Sequence, residues 1–208
     1  MNDFAVFMRY PNIRGIAMKA ETGENCEQLK RDAAAERCIS RLGKGDIDAL
    51  DELYSIASHS IYSYALSVLG NRHDAEDALH DTLVKIFASA KSYRTQGKPF
   101  AWIIRIAKNI CIDRMRLRKK EAASSLDNEA DTLPVDPIAD AEDRLMIQSF
   151  LSALSPEGRQ IVSLHLISGF TFREIAKALG QPAPTVMTKY RRAMIKLRKE
   201  FEGKENGQ

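Results

Sequence analysis

TFREIAKALGQPAPTVMTKYRRAMIKLRK, residues 171–199, decides the fold of the second half of the chain. Thr171 and Glu174 stand three apart, the spacing at which a side chain at a helix start and a carboxylate one turn on satisfy each other's end amides. The helix they open runs through Ile175 and Ala176 to Leu179 and stops at Gly180. A tight turn, Gln181-Pro182-Ala183-Pro184, follows, and a second helix opens near Pro184 and reaches about Phe201. Proline is tolerated at a helix start because its missing N–H is not needed there. Small Ala176 permits a close crossing, and Ile175, Leu179 and Val186 fill the space between the two helices. The second helix carries Lys189, Arg191, Arg192, Lys196, Arg198 and Lys199 against a single acid, Glu200. With short polar Thr185 and Thr188 at its start, this helix-turn-helix has what major-groove reading requires. The alternative is a solvated basic helix packed on a bundle.

Upstream, Ser155-Pro156 is a capping side chain followed by proline at the first helical position. Helical spacing also joins Leu145, Ile147, Phe150, Leu151 and Leu154. Before them composition changes sharply. Residues 121–143 hold eight acids (Glu121, Asp127, Glu129, Asp131, Asp136, Asp140, Glu142 and Asp143), Pro134 and Pro137, and no Lys or Arg. Such a stretch repels itself and buries little, so it reads as an extended linker.

The first half is helical as well. Leu29, Ala33, Cys38, Ile39 and Leu42 repeat at helical spacing, up to the break at Gly43 and Gly45. Asp46 is the expected N-cap of a long helix. Its apolar stripe is Ile47, Leu50, Leu53, Tyr54, Ala57, Ile61, Tyr64, Ala65, Val68 and Leu69, and it ends at Gly70. A third helix, 74–90, sets Ala75, Ala78, Leu79, Leu83, Ile86, Phe87 and Ala90 inward. A loop punctuated by Gly97 and Pro99 leads to a fourth helix from about Phe100 to Lys120. No strand alternation is visible. The expected fold is all-α: two small helical domains at 29–120 and 144–202, the acidic linker 121–143 between them, a loose extension at 1–28 and a tail at 203–208.

Composition narrows the function. Apolar residues make up 44 % of 208 positions, enough for real cores, and the net charge of +3 is modest. Cys26, Cys38 and Cys111 lie far apart, an odd count that suits neither a disulfide framework nor a metal site. His59, His73, His80 and His165 are scattered without metal-ligand spacing, so no metal and no cofactor are expected. No apolar run approaches the roughly 18–20 residues needed to cross a bilayer, and the N-terminus lacks the basic start of a signal peptide. The protein reads as cytoplasmic, without membrane insertion.

Two further constellations stand in the first half. Residues 101–120, AWIIRIAKNICIDRMRLRKK, hold seven basic side chains (Arg105, Lys108, Arg114, Arg116, Arg118, Lys119 and Lys120) and one acid, Asp113. Trp102 stands near Tyr93 and Arg94. Cations interleaved with aromatics suit single-stranded or distorted DNA, where an unstacked base on a π-face is worth about 1–3 kcal/mol. Trp102 could equally be a core anchor. The other constellation is acidic: Asp74, Glu76, Asp77, His80 and Asp81 at a helix start. Taken alone it compensates the helix dipole. No nucleophile, metal pair or phosphate-binding loop accompanies it, so an enzyme is not expected.

DAEDALHDTLVKIF, PFAWIIRIAKNICIDRMR, the linker, LSPEGRQIVSLHLISGFTFREIAKALG and TVMTKYRRAMIKLRK together resemble the sigma-70 family, in the compact two-domain form of its extracytoplasmic-function (ECF) group. The resemblance covers roughly residues 40–202. It implies a sigma region 2 bundle that docks through Asp74, Glu76, Asp77, His80 and Asp81 on the β′ clamp helices of core RNA polymerase. The family usually has Gln at the position of His80, and the histidine could add pH sensitivity. Tyr93, Arg94, Trp102, Arg105, Lys108, Asn109, Asp113 and Arg114 fall where family members melt and read the minus-ten element of promoter DNA. The second domain corresponds to sigma region 4, the minus-35 reader that also meets the β flap. There Thr185, Met187, Thr188, Lys189, Arg191 and Arg192 fall at or near the groove. Pro184 departs from a usual Gly, and Met187 stands where a basic residue is common, which puts the usual base preference in doubt. The linker's family counterpart threads toward the RNA exit channel, and here it is either a mimic of RNA phosphates or a plain tether. ECF factors are commonly held by an anti-sigma factor. The rival reading is a conventional helix-turn-helix regulator, which needs a ligand or dimerisation domain in place of the basic, aromatic module at 46–120.

Overall fold

The computed structural model describes residues 24–95, 97–124 and 153–205. Within them the chain forms seven α-helices and no strand. These are α1 (Glu24–Gly43), α2 (Ala49–Leu69), α3 (Arg72–Ser89), α4 (Pro99–Ser124), α5 (Pro156–Val162), α6 (Phe172–Leu179) and α7 (Ala183–Glu205). The expected all-α architecture is the one found. The helical pattern at 145–151 and nearly all of the acidic linker lie outside the described residues.

α1 begins earlier than the periodicity suggested and turns the later part of the expected stripe inward, with Ala35 added. Ala35, Cys38, Ile39 and Leu42 are buried at i, i+3, i+4 and i+7, while Leu29 is 62 % exposed and Ala33 is exposed too. α2 starts at Ala49, three residues past the expected cap at Asp46. The reason is a competing partner: Arg41 Nε donates to Asp46 Oδ2 at 2.7 Å and Arg41 Nη1 to Glu52 Oε1 at 2.6 Å, closing the turn between α1 and α2. Ile47 therefore sits outside the helix and outside the core. Gly70 caps α2 with φ +80°, a conformation glycine adopts without a Cβ clash, and its N–H donates to Leu66 O. Asn71 then caps α3 by accepting from the Asp74 N–H. Phe87, expected inside, is 42 % exposed beside Val84 at 68 %. Ala75, Ala78, Leu79, Leu83, Ile86 and Ala90 hold the buried side as expected.

Ser155 caps α5 by accepting from the Gly158 N–H, with Pro156 at the first helical position. One turn of π-helix, Ser163–Ile167, continues it. The Thr171–Glu174 capping box is complete in both directions, and Gly180, at φ +67°, closes α6. Ile175, Leu179 and Val186 are fully or almost fully buried, as is Ala176, and α6 packs on α7.

The two helical groups pack into one core. α5 and the π turn lie on α2, and α6 lies along α4. Phe100 and Phe170, both 1 % exposed, meet edge to face at 5.6 Å between ring centroids. Such a pair adds about 0.5–1.5 kcal/mol beyond its burial. The hydroxyls of Ser60, Ser63 and Ser67 line the receiving face of α2, and Ser163 Oγ donates to Ser63 O at 3.1 Å across the seam.

Candidate polymerase and nucleic-acid interface

The acidic residues of α3 face α4, and the chain answers them with its own cations. Arg114 places Nη1 3.3 Å from Asp77 Oδ2 and Nη2 2.5 Å from Asp81 Oδ2. Arg118 lies 3.3 Å from Asp74 Oδ2, and Arg72 pairs with Glu76 at 2.7 Å one turn along α3. His80 Nδ1 is 2.9 Å from Glu76 O, so in the Nδ1–H tautomer it donates to that carbonyl and leaves Nε2 to solvent. Val84 lies one helical turn beyond His80 and Asp81 and two beyond Asp77, and is exposed on the same side. The expected docking residues thus form one face, acidic at one end and apolar at the other. Sequence reasoning left Val84 unmarked and assigned Phe87 to the core stripe, yet both are exposed.

The residues expected at the minus-ten element divide into three places. Tyr93, Arg94, Trp102 and Arg105 line one cleft of about 220 Å³, together with Ser92, Lys98 and Lys177. Tyr93 and Trp102 pack with ring centroids 4.7 Å apart at 54°, and Tyr93 Oη donates to Glu36 Oε1 at 2.9 Å. The cleft therefore offers aromatic surface ringed by Arg94, Lys98, Arg105 and Lys177. Lys108 is elsewhere: its Nζ donates to Leu179 O at 2.6 Å, at the carbonyl end of α6 where helix dipoles favour cations. Asn109 is exposed on α4. Arg114, also expected at DNA, pairs here with Asp77 and Asp81, because α4 packs on α3 at that height. Asp113 pairs with Arg116 at 3.3 Å on the exposed side of α4. Lys98 and Lys177 had no signal in the sequence, since the cleft joins a loop to a helix some 80 positions away.

On α7, Met187, Thr188, Arg191 and Arg192 are exposed together, while Thr185 is half-buried. Thr188 Oγ1 donates to Pro184 O at 2.9 Å, which keeps its side chain against the first turn. Lys189 does not project freely. Its Nζ sits 2.7 Å from Glu157 Oε2 and 3.0 Å from Gln181 Oε1, so it fixes α7 to α5 and to the turn. Behind the helix, His165 stacks on Phe172 at 4.3 Å and meets Tyr190 edge-on at 5.0 Å. His165 Nδ1 lies 2.7 Å from Phe170 O, so the turn into α6 is pinned from the π-helix.

Residues 53–121 match the family model described as Sigma-70 region 2, and residues 144–197 the one described as Sigma-70, region 4. The ECF RNA polymerase sigma factor SigW of Bacillus subtilis is 31 % identical over 178 residues, covering 78 % of this chain and 94 % of its own length. The ECF RNA polymerase sigma factor SigE of Mycolicibacterium smegmatis is 32 % identical over 154 residues, and the match spans 71 % of this chain and 60 % of that protein. Among solved structures, CnrH in complex with the cytosolic domain of CnrY aligns at a TM-score of 0.62 and 21 % identity, over 82 % of this chain and 98 % of its own. The sigma factor RpoE in complex with the anti-sigma factor NepR from Bartonella quintana aligns at 0.64 and 24 %, over 74 % and 96 %. At those identities the two structures speak for the fold alone. The two matched regions, in order along one chain, and the SigW relative show that the chain belongs to the sigma-70 family, as an ECF RNA polymerase sigma factor.

Proposed function

We propose that the three surfaces divide the work of promoter-specific initiation. The acidic and apolar face of α3 (Asp74, Glu76, Asp77, His80 and Asp81, with Val84) docks on a cationic, partly apolar partner, the clamp helices of core polymerase. The cleft of Tyr93, Arg94, Trp102 and Arg105, with Asn109 on the same helix, receives unpaired minus-ten DNA. Thr185, Met187, Thr188, Arg191 and Arg192 on α7 meet the minus-35 major groove, and Lys189 acts mainly as a brace. The domain division follows: 29–120 for docking and minus-ten melting, 144–202 for minus-35 binding, with 121–143 as the connecting segment. The protein would act in the cytoplasm with the polymerase, without a cofactor and without chemistry of its own. One fold neighbour, RpoE of Bartonella quintana, is in complex with the anti-sigma factor NepR, which favours an anti-sigma partner here as well.

The observation that carries this reading is the cleft. Two packed aromatics ringed by arginine and lysine supply both stacking and phosphate contacts, the pairing that single strands require. Run-off transcription with purified core polymerase tests it. The parent chain should make initiation promoter-specific. A double change of Tyr93 and Trp102 to Ala should abolish open-complex formation while core binding persists. Loss of core binding in that variant, with melting intact in what binds, would reverse the assignment of the two surfaces.

A further inference from the structure

Glu36 lies on α1, outside the residues that either family model matches. Its Oε1 accepts from the hydroxyl of Tyr93 at 2.9 Å, across 57 positions of chain. Tyr93 is the first residue after a single turn of 3-10 helix, Ala90–Ser92, and its own N–H donates to Ala90 O at 3.2 Å. α1 packs along that turn. Gly43 stands two helical turns beyond Glu36, and so on the same side of α1. A Cβ at Gly43 would come within 3.1 Å of Ala90 O, so the end of α1 lies almost against the backbone of the turn. One face of α1 therefore holds the start of the loop twice, at the backbone of Ala90 and at the hydroxyl of Tyr93.

The Tyr93 ring is one wall of the aromatic cleft, packed on Trp102 with centroids 4.7 Å apart. A base stacks only where the ring already stands, and each staggered χ1 well would carry a tyrosine ring to a different place. A hydroxyl that donates to a carboxylate makes a bond about twice as strong as one between neutral groups, so the tie to Glu36 selects one rotamer. The charge of Glu36 otherwise works against the cleft. Arg94, Lys98 and Arg105 line it, and DNA phosphates repel a carboxylate. We propose that Glu36 is a positioning residue for minus-ten recognition, fixing the Tyr93 ring against Trp102 so that the stacking surface is formed before an unpaired base arrives. The proposal rests on the reading of that cleft as the minus-ten surface; the tie between Glu36 and the two rings does not.

Charge and positioning predict opposite signs. A carboxylate that acts only through its charge weakens DNA engagement, and its removal strengthens melting. A carboxylate that positions Tyr93 supports melting, and its removal weakens melting although the cleft becomes more positive.

The test uses the full chain, alone for spectroscopy and with purified core polymerase on a promoter that the parent holoenzyme transcribes. Emission and acrylamide quenching of Trp102, the one tryptophan in the sequence, report the ring pair. Permanganate oxidation of unpaired thymines reports melting. Glu36→Ala should shift Trp102 emission to the red and lower melting about tenfold, the scale of one hydrogen bond to a charged group. Core polymerase binding should not change. Glu36→Gln still offers a carbonyl oxygen to the hydroxyl and should restore most of the melting. Tyr93→Phe keeps the ring and loses the hydroxyl, so it should match Glu36→Ala, and the two changes together should be no worse than either alone. Losses that multiply in the combined variant overturn the positioning role. So does improved melting in Glu36→Ala, or a Glu36→Gln as impaired as Glu36→Ala. Melting that is lost when Tyr93 and Trp102 are both changed to Ala, yet kept in Glu36→Ala and Tyr93→Phe, overturns the positioning role alone. Melting that persists in all of these variants shows that the cleft reading has failed, and the proposal falls with it.

Discussion

Arg114 of α4 bridges Asp77 and Asp81 of α3, so a cation expected at DNA neutralises part of the acidic face of α3. Both carboxylates are about half exposed, which limits each pair to about 0.2–1 kcal/mol. Arg114 Nε is buried without a hydrogen-bond partner, a cost that reduces the net gain further. Arg114→Ala should therefore lower unfolding free energy by only about 1 kcal/mol in a urea titration. The same change leaves Asp77 and Asp81 unneutralised. Core polymerase binding should then tighten at low salt and fall more steeply as salt rises. Weaker binding at low salt would mean that Arg114 itself contacts the polymerase.

The capping box at the start of α6 is the clearest local stabiliser in the second domain. Thr171 Oγ1 accepts from the Glu174 N–H at 3.3 Å and donates to Glu174 Oε2 at 2.8 Å, while the Thr171 N–H donates to that carboxylate at 2.9 Å. Thr171→Ala removes the first two bonds and keeps the third. The expected loss is about 1 kcal/mol, within the range of about 0.5–2 for N-cap truncation. A shift of the denaturation midpoint with an unchanged slope would check it.

These two cases show which parts of the molecule the sequence makes legible. The capping box, Ser155-Pro156 and the Gly180 stop depend on residues at most five apart, so their geometry follows from local bonding rules. The helix-turn-helix and the acidic helix were readable for that reason. Arg114 was not, because its partners lie 33 and 37 positions away and appear only once α4 crosses α3. Asp46 looked like a cap because it stands just ahead of the apolar stripe, and helical periodicity does not show that the turn after Gly43 brings its carboxylate back to Arg41. Ser60, Ser63 and Ser67 carry no apolar signal, yet they are buried on α2, since small hydroxyls can satisfy themselves against nearby carbonyls and admit a close neighbour. The packing of one domain on the other has no signature at short range.

Gly180 separates conformational cost from steric cost. Its φ is +67°, yet a Cβ built there would meet nothing within 4 Å. Gly180→Ala should therefore destabilise the second domain by about 1–2 kcal/mol through the left-handed backbone alone. Gly180→Asn should cost less, because asparagine tolerates that region. Chemical denaturation of the three proteins would rank them. An equal loss for both variants would show that a contact, not the backbone, sets the cost.

Cys111 and Cys38 are fully or almost fully buried, and burial pushes the Cys111 thiol up to about 12. The Cys38 thiol is raised too, first by burial and then by Glu52, toward which its Sγ points at 3.7 Å. At pH 8 a thiol at about 12 is thiolate in about one molecule in ten thousand, and only the thiolate reacts. Iodoacetamide at pH 8 should leave Cys111 and Cys38 unmodified in the native chain and label both in urea, read by peptide mapping. Fast native labelling of Cys111 would show that α4 opens locally without global unfolding.

Arg192 is exposed on α7, as are Met187, Thr188 and Arg191, while Lys189, one turn before it, is held by Glu157. An arginine that reads a guanine edge through two hydrogen bonds contributes about 1–3 kcal/mol of discrimination. One that meets only a phosphate weakens all sequences alike and lowers the salt dependence by about one ion. Arg192→Ala should weaken minus-35 DNA about tenfold or more while binding to core polymerase is unchanged. Repeating the measurement with each base of the element replaced distinguishes the two roles. Discrimination lost at one position marks a base contact, and uniform loss marks a phosphate contact. Met187, which offers no cation at the neighbouring groove position, makes the outcome at Arg192 more consequential, since fewer side chains on this helix are left to set base preference.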